Sequence, residues 1–243
     1  MNVIFWHICG LSNYKKIVTD QFNSIKRSGF LDKVDKIYIT YLGRNKNDIN
    51  FLLKKSNKIT LHVYDTYIYH YERLCLHALH DFAQLNDANV LYIHAKGVSA
   101  RFIGNYTAQE SIKQWRKMME YFLIYQHQSC IKLLETHDAL GCCLHNNKDN
   151  ELTINNEDHA WHFSGNFWWS TSKYIRTLPR IREDIVGNLA ANCTFHLCER
   201  WILQRWPDVK YIELYKQQDT SHFYDCSPNL CYLNVDLNKL ISC

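Results

Sequence analysis

Up to Gly97 the chain switches repeatedly between the period-2 pattern of strands and the 3.6-residue pattern of helices, and this constrains its fold most tightly. Val3 to Ile8 has the composition of a strand, and Gly10-Leu11-Ser12-Asn13 offers a loop with a Ser or Asn to cap the next helix. Tyr14 to Arg27 places Ile17, Val18, Phe22 and Ile25 at helical spacing, and Ser28-Gly29 closes that helix. Lys36 to Leu42 alternates as a strand, a short helix is expected near Asp48 to Lys55, and Ile59 to Tyr64 is again a strand. His70 to Leu85 carries Leu74, Leu76, Leu79 and Phe82 on one helical face, and Val90 to Ile93 is a short apolar run suited to a strand buried on both sides. Strands alternating with helices predict an α/β fold, Rossmann-like, with a mostly parallel central sheet and right-handed crossovers.

The fourth strand stops at His94-Ala95-Lys96-Gly97. Gly97 permits a turn or a close approach of backbone to ligand. An imidazole and a cation thus sit at the carboxyl end of a central strand, where open α/β sheets bind ligands. The plain alternative is a strand end with a solvated Lys and a capping Gly. Neither GxGxxG nor GxxxxGK[ST] occurs, so the dinucleotide fingerprint and the P-loop are both excluded.

After Gly97 the character changes. Thr107 to Leu134 is one long helical pattern with Trp115, Met118, Met119, Phe122 and Ile131 on its apolar side. Asp138 to Leu144 is strand-like, and His145 to Asp158 is a polar stretch suited to a loop over a site. Tyr174 to Leu178 and Cys193 to Trp206 are expected to be helical, each followed by a Pro. The formal charge of +4 is spread along the chain; it allows an anionic ligand without demanding nucleic acid. The ten cysteines form no CxxC pair, which favours free thiols of a reducing, cytoplasmic compartment over a disulfide framework or zinc site. No apolar run is long enough to span a membrane, and the amino-terminal segment is expected to be a strand, not a signal peptide.

His162-Phe-Ser-Gly-Asn-Phe-Trp-Trp-Ser170 is the most unusual segment. Ser164 and Asn166 flank Gly165, and tryptophan faces stack on sugar rings; strand alternation predicts that one of Trp168 and Trp169 is buried and the other exposed to a cleft. Glu199 lies in a mainly apolar helix, either a general base or a partner of Arg200 or Arg205. Glu72, beside Arg73, poses the same choice. Asp65-Thr66 follows a strand where a base or ribose is commonly read, and His7, Gly10 and Asn13 occupy the corresponding place after the first strand. Asp158, His159 and His162 lie close enough in sequence to suggest a metal.

Taken together, Tyr92-Ile-His-Ala-Lys-Gly97, Trp115-Arg116, His162 to Trp169 and Glu199-Arg-Trp-Ile202 resemble a group of small glycosyltransferases with a GT-A-like fold. These occur in bacterial polysaccharide loci and large DNA viruses, and the resemblance runs from about Val3 to Pro207. It implies one domain, with residues 1–104 binding a UDP- or GDP-sugar and residues 105–243 binding a glycan acceptor. His7, Gly10, Asn13, Asp65, Thr66, Glu72, His94, Lys96 and Gly97 are then donor-side candidates. His162, Ser164, Gly165, Asn166, Trp168, Trp169 and Arg200 are acceptor- or sugar-side candidates, and Glu199, Asp158 and Lys96 are catalytic ones. GT-A enzymes usually carry Asp-x-Asp at the end of the fourth strand to hold a metal against the diphosphate. Here His94-Ala95-Lys96 stands instead, so the expectation is no required cofactor, with a fixed ammonium in the metal's role. If Mn²⁺ or Mg²⁺ is used, His94, Asp158 and His222 are the fallback ligands. A non-catalytic nucleotide-sugar or carbohydrate-binding module of the same fold is the competing expectation.

Overall fold

A computed structural model describes residues 1–98, 106–146, 161–182 and 196–216. Its centre is β1 (Asn2–Cys9), which pairs in parallel with β2 (Lys36–Leu42) on one side and with β4 (Asn89–His94) on the other. Because successive side chains leave opposite faces, Ile4, Trp6 and Ile8 enter one core while Val3 and Phe5 enter a second. A strand buried on both faces carries no polar stripe, as the run Val-Ile-Phe-Trp illustrates.

The sheet has seven strands in the order β3-β2-β1-β4-β8-β5-β9, with β3 at Ile59–Asp65, β5 at Ala139–Cys142, β8 at Trp168–Thr171 and β9 at Tyr211–Tyr215. Four pairings are parallel, and β8 runs antiparallel to both β4 and β5. Strands from both parts of the chain therefore share one sheet. The α/β class with a mostly parallel central sheet flanked by helices is as expected. On the first face pack α1 (Tyr14–Arg27), α2 (Phe30–Lys33), α3 (Asn50–Leu53), α5 (Tyr106–Glu120) and α6 (His127–Leu133). The second face is covered by α4 (Arg73–Leu85), α7 (Ser172–Ile175) and the helical residues 196–200, α8.

Four departures from the sequence pattern have physical causes. The long helix expected over Thr107 to Leu134 breaks at a π-helical turn, Tyr121–Tyr125. That wide turn buries Phe122, Leu123 and Ile124 in succession, and the Trp169 indole Nε1 donates to the Leu123 carbonyl at 2.7 Å. The helix expected from His70 starts at Arg73, because Tyr71 takes φ 48°. The strand expected over Asp138 to Leu144 divides at Cys143, also at positive φ (55°). Its second part, β6 (Leu144–Asn146), leaves the sheet to pair with β7 (Trp161–Phe163) in a two-stranded ribbon. In the last region, residues 196–200 are helical and Trp201–Leu203 forms a 3-10 turn; 193–195 lie outside the described residues.

The exposure expected of one tryptophan does not occur. Trp168 and Trp169 do leave opposite faces of β8, but β8 is an interior strand with a core on each side, so both are fully buried. Trp168 stacks on Tyr92 at 4.9 Å, and Trp169 lies against Phe30 at 5.4 Å. The described cysteines, Cys9, Cys75, Cys130, Cys142, Cys143 and Cys198, are thiols, none of them in a disulfide. No described helix is long and apolar enough to cross a membrane.

Replacing Trp169 with Ala removes both a core ring and the donor to Leu123, and is expected to cost about 3–5 kcal/mol in urea unfolding. Tyr67→Ala, at a ring that is 56% exposed, should stay within about 0.5 kcal/mol. Comparable losses at the two positions would contradict this packing.

Candidate functional site

β2 and β3 lie on one side of β1 and β4 on the other, so the strand order reverses between β1 and β4. At their carboxyl ends His7 stands in register with His94. This is the topological switch point, the place in open sheets where ligands bind. Beyond His94 the backbone is held closely. Gln21 of α1 donates from Nε2 to the His94 carbonyl at 2.9 Å, the Ala95 amide donates to the His7 carbonyl at 3.0 Å, and the buried Arg116 donates from Nη1 to the Lys96 carbonyl at 3.0 Å. Gly97 takes φ 99°, and a Cβ there would lie 3.1 Å from Ile112. Both facts call for glycine.

Lys96 is only 9% exposed, and its Nζ lies 3.8 Å from the centroid of the Trp115 ring. It does not point into solvent, so the plain alternative of a solvated strand-end lysine is set aside. A cation over an indole face is attracted by the ring quadrupole, by about 2 kcal/mol when desolvated.

On the α4 side, Glu72 is buried directly before the helix, after Tyr71 at φ 48°, ψ −138°. That backbone conformation is costly for a residue with a Cβ and marks stored local strain. Glu72 Oε1 lies 3.5 Å from His94 Nδ1, and His94 Nε2 lies 2.9 Å from the Gly165 carbonyl oxygen. Burial, reinforced by the charge of Glu199, pushes the Glu72 carboxyl up to about 8 against the opposing pull of Lys96. Burial pulls His7 down to about 3, and burial with the Lys96 charge takes His94 well below the usual imidazole range. Burial thus favours the uncharged forms of both imidazoles and of the Glu72 carboxyl. Glu199 of α8 faces the same region, with Oε2 3.9 Å from His196 Nδ1.

The turn between β7 and β8 closes this group. Gly165 takes φ 92°, and a Cβ there would fall 2.6 Å from Met119 Sδ and 3.2 Å from the Trp115 ring. Asn166 takes φ 52°, a conformation that Asn tolerates better than most residues. Its side chain is committed to the fold: Oδ1 accepts from Trp168 Nε1 at 3.0 Å and Nδ2 donates to the Cys198 carbonyl at 3.5 Å. Asn166 is therefore a buried clamp between β8 and α8, not the exposed sugar ligand that its neighbours suggested. Ser164 and His162 are buried beside it, His162 stacking edge-on to His145 at 5.7 Å.

On the opposite face a cleft of about 240 Å³ opens beside Gly97, lined among others by Asn13, Lys16, Asp20, Lys113 and Arg116. Asn13 precedes α1 without capping it through its side chain. Lys113 is bound to Glu110 at 2.9 Å, and Arg116 pairs with Glu120 at 3.5 Å.

Of the candidates read from sequence, His7, Glu72, His94, Lys96, Gly97, Gly165 and Glu199 gather at the switch point, and Asn13 lines the cleft. Gly10 instead packs on the Tyr41 phenol, where a Cβ would fall 2.5 Å from its oxygen. Asp65 Oδ1 accepts from the Tyr67 amide at 2.7 Å, capping its own turn, while Thr66 is exposed. Arg200 is partly exposed on α8. Trp168 and Trp169 belong to the cores, and Asp158 and His222 lie outside the described residues. Among the described residues no three His, Cys, Asp or Glu side chains are grouped to hold a metal ion. Lys16, Gln21 and Lys113 escaped the sequence reading. Lys16 had a usable signal, a cation in the first turn of the helix after the first strand. Gln21 and Lys113 had none, being polar residues in ordinary amphipathic helices.

The pH dependence of stability follows from Glu72 and His7. The Glu72 carboxyl is raised from 4.5 to about 8, so its contribution is complete below pH 4.5 and is lost as pH rises through 8. His7 is lowered from 6.5 to about 3, so its contribution is complete above pH 6.5 and is lost as pH falls through 3. Thermal midpoints should peak between these limits, roughly at pH 5–6, and fall on both sides. Glu72→Gln should flatten the alkaline limb; a limb unchanged in that variant would assign it to another group.

No curated protein matches the sequence. A 4-diphosphocytidyl-2C-methyl-D-erythritol synthase from Anaerococcus prevotii aligns with 89% of this chain and 90% of its own, at 13% identity and a TM-score of 0.40. A candidate glucose-1-phosphate thymidylyltransferase from Bacillus anthracis, crystallised with sucrose, aligns over 86% of each chain at 12% identity and a TM-score of 0.40. Similarity at this level carries no argument about activity. The family model described as a domain of unknown function, DUF8361, matches residues 7–186, and the chain belongs to that family.

Proposed function

We propose that this protein is a glycosyltransferase of the GT-A type, moving a sugar from a UDP- or GDP-sugar to a hydroxyl of a glycan acceptor. The observation that carries this reading is the buried ammonium of Lys96 at the carboxyl end of β4, held over Trp115 at the switch point of the sheet. A diphosphate leaving group gains negative charge as its bond to the sugar breaks, and a preorganised cation in a water-poor crevice is the group that stabilises it. The cleft beside Gly97 adds Lys16 for the phosphates, with Asn13, Lys113 and Arg116 also in its lining. Glu199 is the carboxylate assigned to take the proton from the acceptor hydroxyl. The oxygen then bonds to the anomeric carbon, and the nucleoside diphosphate departs with the electron pair of the broken C–O bond.

Lys96 in this role makes a divalent ion unnecessary, although Mn²⁺ or Mg²⁺ would supply the same charge. A nucleotide-sugar-binding module without turnover is the second reading, favoured by the absence of Asp-x-Asp at the end of β4.

Donor hydrolysis and transfer, measured across UDP- and GDP-sugars, separate the two readings. Activity is expected to persist in EDTA, and Lys96→Ala to lose roughly 10²–10³-fold without rescue by Mn²⁺. Glu199→Gln is expected to lose about 10²–10⁴-fold in turnover while donor binding, followed by thermal shift, stays near normal. Binding without hydrolysis or transfer would establish the module instead. Activity abolished by EDTA, restored by Mn²⁺ and retained in Lys96→Ala would overturn the role given to the lysine.

A further inference from the structure

We infer that Glu72 and His94 form a positioning pair in which the Glu72 carboxyl carries a proton toward His94 Nδ1, and His94 donates from Nε2 to the Gly165 carbonyl. The geometry leads there directly. A carbonyl oxygen only accepts, so at 2.9 Å from Gly165 the His94 Nε2 atom bears a hydrogen. His94 Nδ1 then faces Glu72 Oε1 at 3.5 Å. At 3.5 Å the two atoms stand at the outer edge of hydrogen-bond range, where a proton between them replaces facing lone pairs with an attraction. That proton rests either on the imidazole, making a buried ion pair, or on the carboxyl, leaving both groups neutral.

The surroundings select the neutral pair. Both side chains are withdrawn from water, at 14% and 5% exposure, and burial penalises two separated charges. The Lys96 ammonium opposes an imidazolium at His94; it also favours a carboxylate at Glu72, but there burial and the Glu199 charge outweigh it. The edge of Phe167 closes the imidazole at 5.1 Å. Glu72 Oε2 is buried with no hydrogen-bond partner among the described residues, a position that costs an ionised carboxylate more than a neutral carboxyl.

The consequence reaches Lys96. The bond from His94 fixes Gly165, whose turn is tight against Met119 and the Trp115 ring, and that ring is the platform for the Lys96 ammonium. Glu72 is coupled to Lys96 electrostatically, and its contact in this pair is with His94, through which it positions Gly165.

Two measurements test this. The first, independent of any enzymatic reading, is ¹⁵N NMR of histidine-labelled protein with the His94 signal assigned by a His94→Gln variant. The expected pattern at neutral pH is a protonated Nε2 and an unprotonated, hydrogen-bonded Nδ1. It should persist in Glu72→Gln, whose amide also donates, and be lost in Glu72→Ala. A doubly protonated ring, the opposite tautomer, or a signal identical in Glu72→Ala would overturn the pair. The second rests on the glycosyltransferase reading: donor hydrolysis should fall roughly 10–100-fold in Glu72→Ala, the usual scale for a partner that orients another residue, and recover most of that in Glu72→Gln. Equal losses in both variants would refute the positioning role. A wild-type protein inactive on every donor would leave the NMR result to decide alone.

Discussion

β1 is flanked by β2 and β4 in a sheet covered on both faces, and this denies water to the polar groups at its carboxyl end. Each of them has to be neutral, paired or stacked, because an unpaired buried charge costs several kcal/mol. Burial favours neutral imidazoles at His7 and His94 and a neutral carboxyl at Glu72, and the Lys96 ammonium lies on an indole. The chemistry available in the crevice follows from that withdrawal of solvent more than from any single residue type. The same desolvation strengthens whatever interaction a bound anion makes with the lysine.

Backbone conformations around the crevice cooperate with it. Tyr71, Gly97, Gly165 and Asn166 all take positive φ, and all border the His94 group. Turns of this kind reverse the chain within a residue or two, so β4, the loop before α4 and the β7–β8 connection can converge on one imidazole. The two glycines are required sterically, while at Tyr71 the strain is held by the surrounding structure.

Much of this architecture was legible in the chain itself. The limits of α1 and β2 coincide with the patterns read from Tyr14 to Arg27 and Lys36 to Leu42, because each element has a clear periodicity and a glycine or loop to end it. The crevice was equally legible through His94-Ala-Lys-Gly97, since alternating strands and helices fix which end of the sheet gathers loops. What could not be read was which side chains occupy the same space. Periodicity gives the face of a strand but not whether another layer covers it, so Trp168 and Trp169 were expected to differ and do not. Asn166 looked available because its neighbours were aromatic; its partners, Trp168 and the Cys198 carbonyl, are a matter of tertiary geometry. The π-helical turn escaped for a related reason: its stabilising donor, Trp169, lies far away in the chain.

The antiparallel strand β8, inserted between β4 and β5, has a consequence for how the chain assembles during synthesis. As the polypeptide leaves the ribosome, β1 to β4 can pair and cover much of their apolar surface while β8 is still unmade. Until Trp168–Thr171 arrives, β4 presents a bare edge of amides and carbonyls, flanked by Tyr92 and Leu91 without the indoles that cover them. Such an edge pairs readily with another nascent chain. The window between translation of β4 and of β8 is thus when this edge is open to pairing, and substitutions that delay β8 docking should appear as losses of yield before they appear as losses of activity.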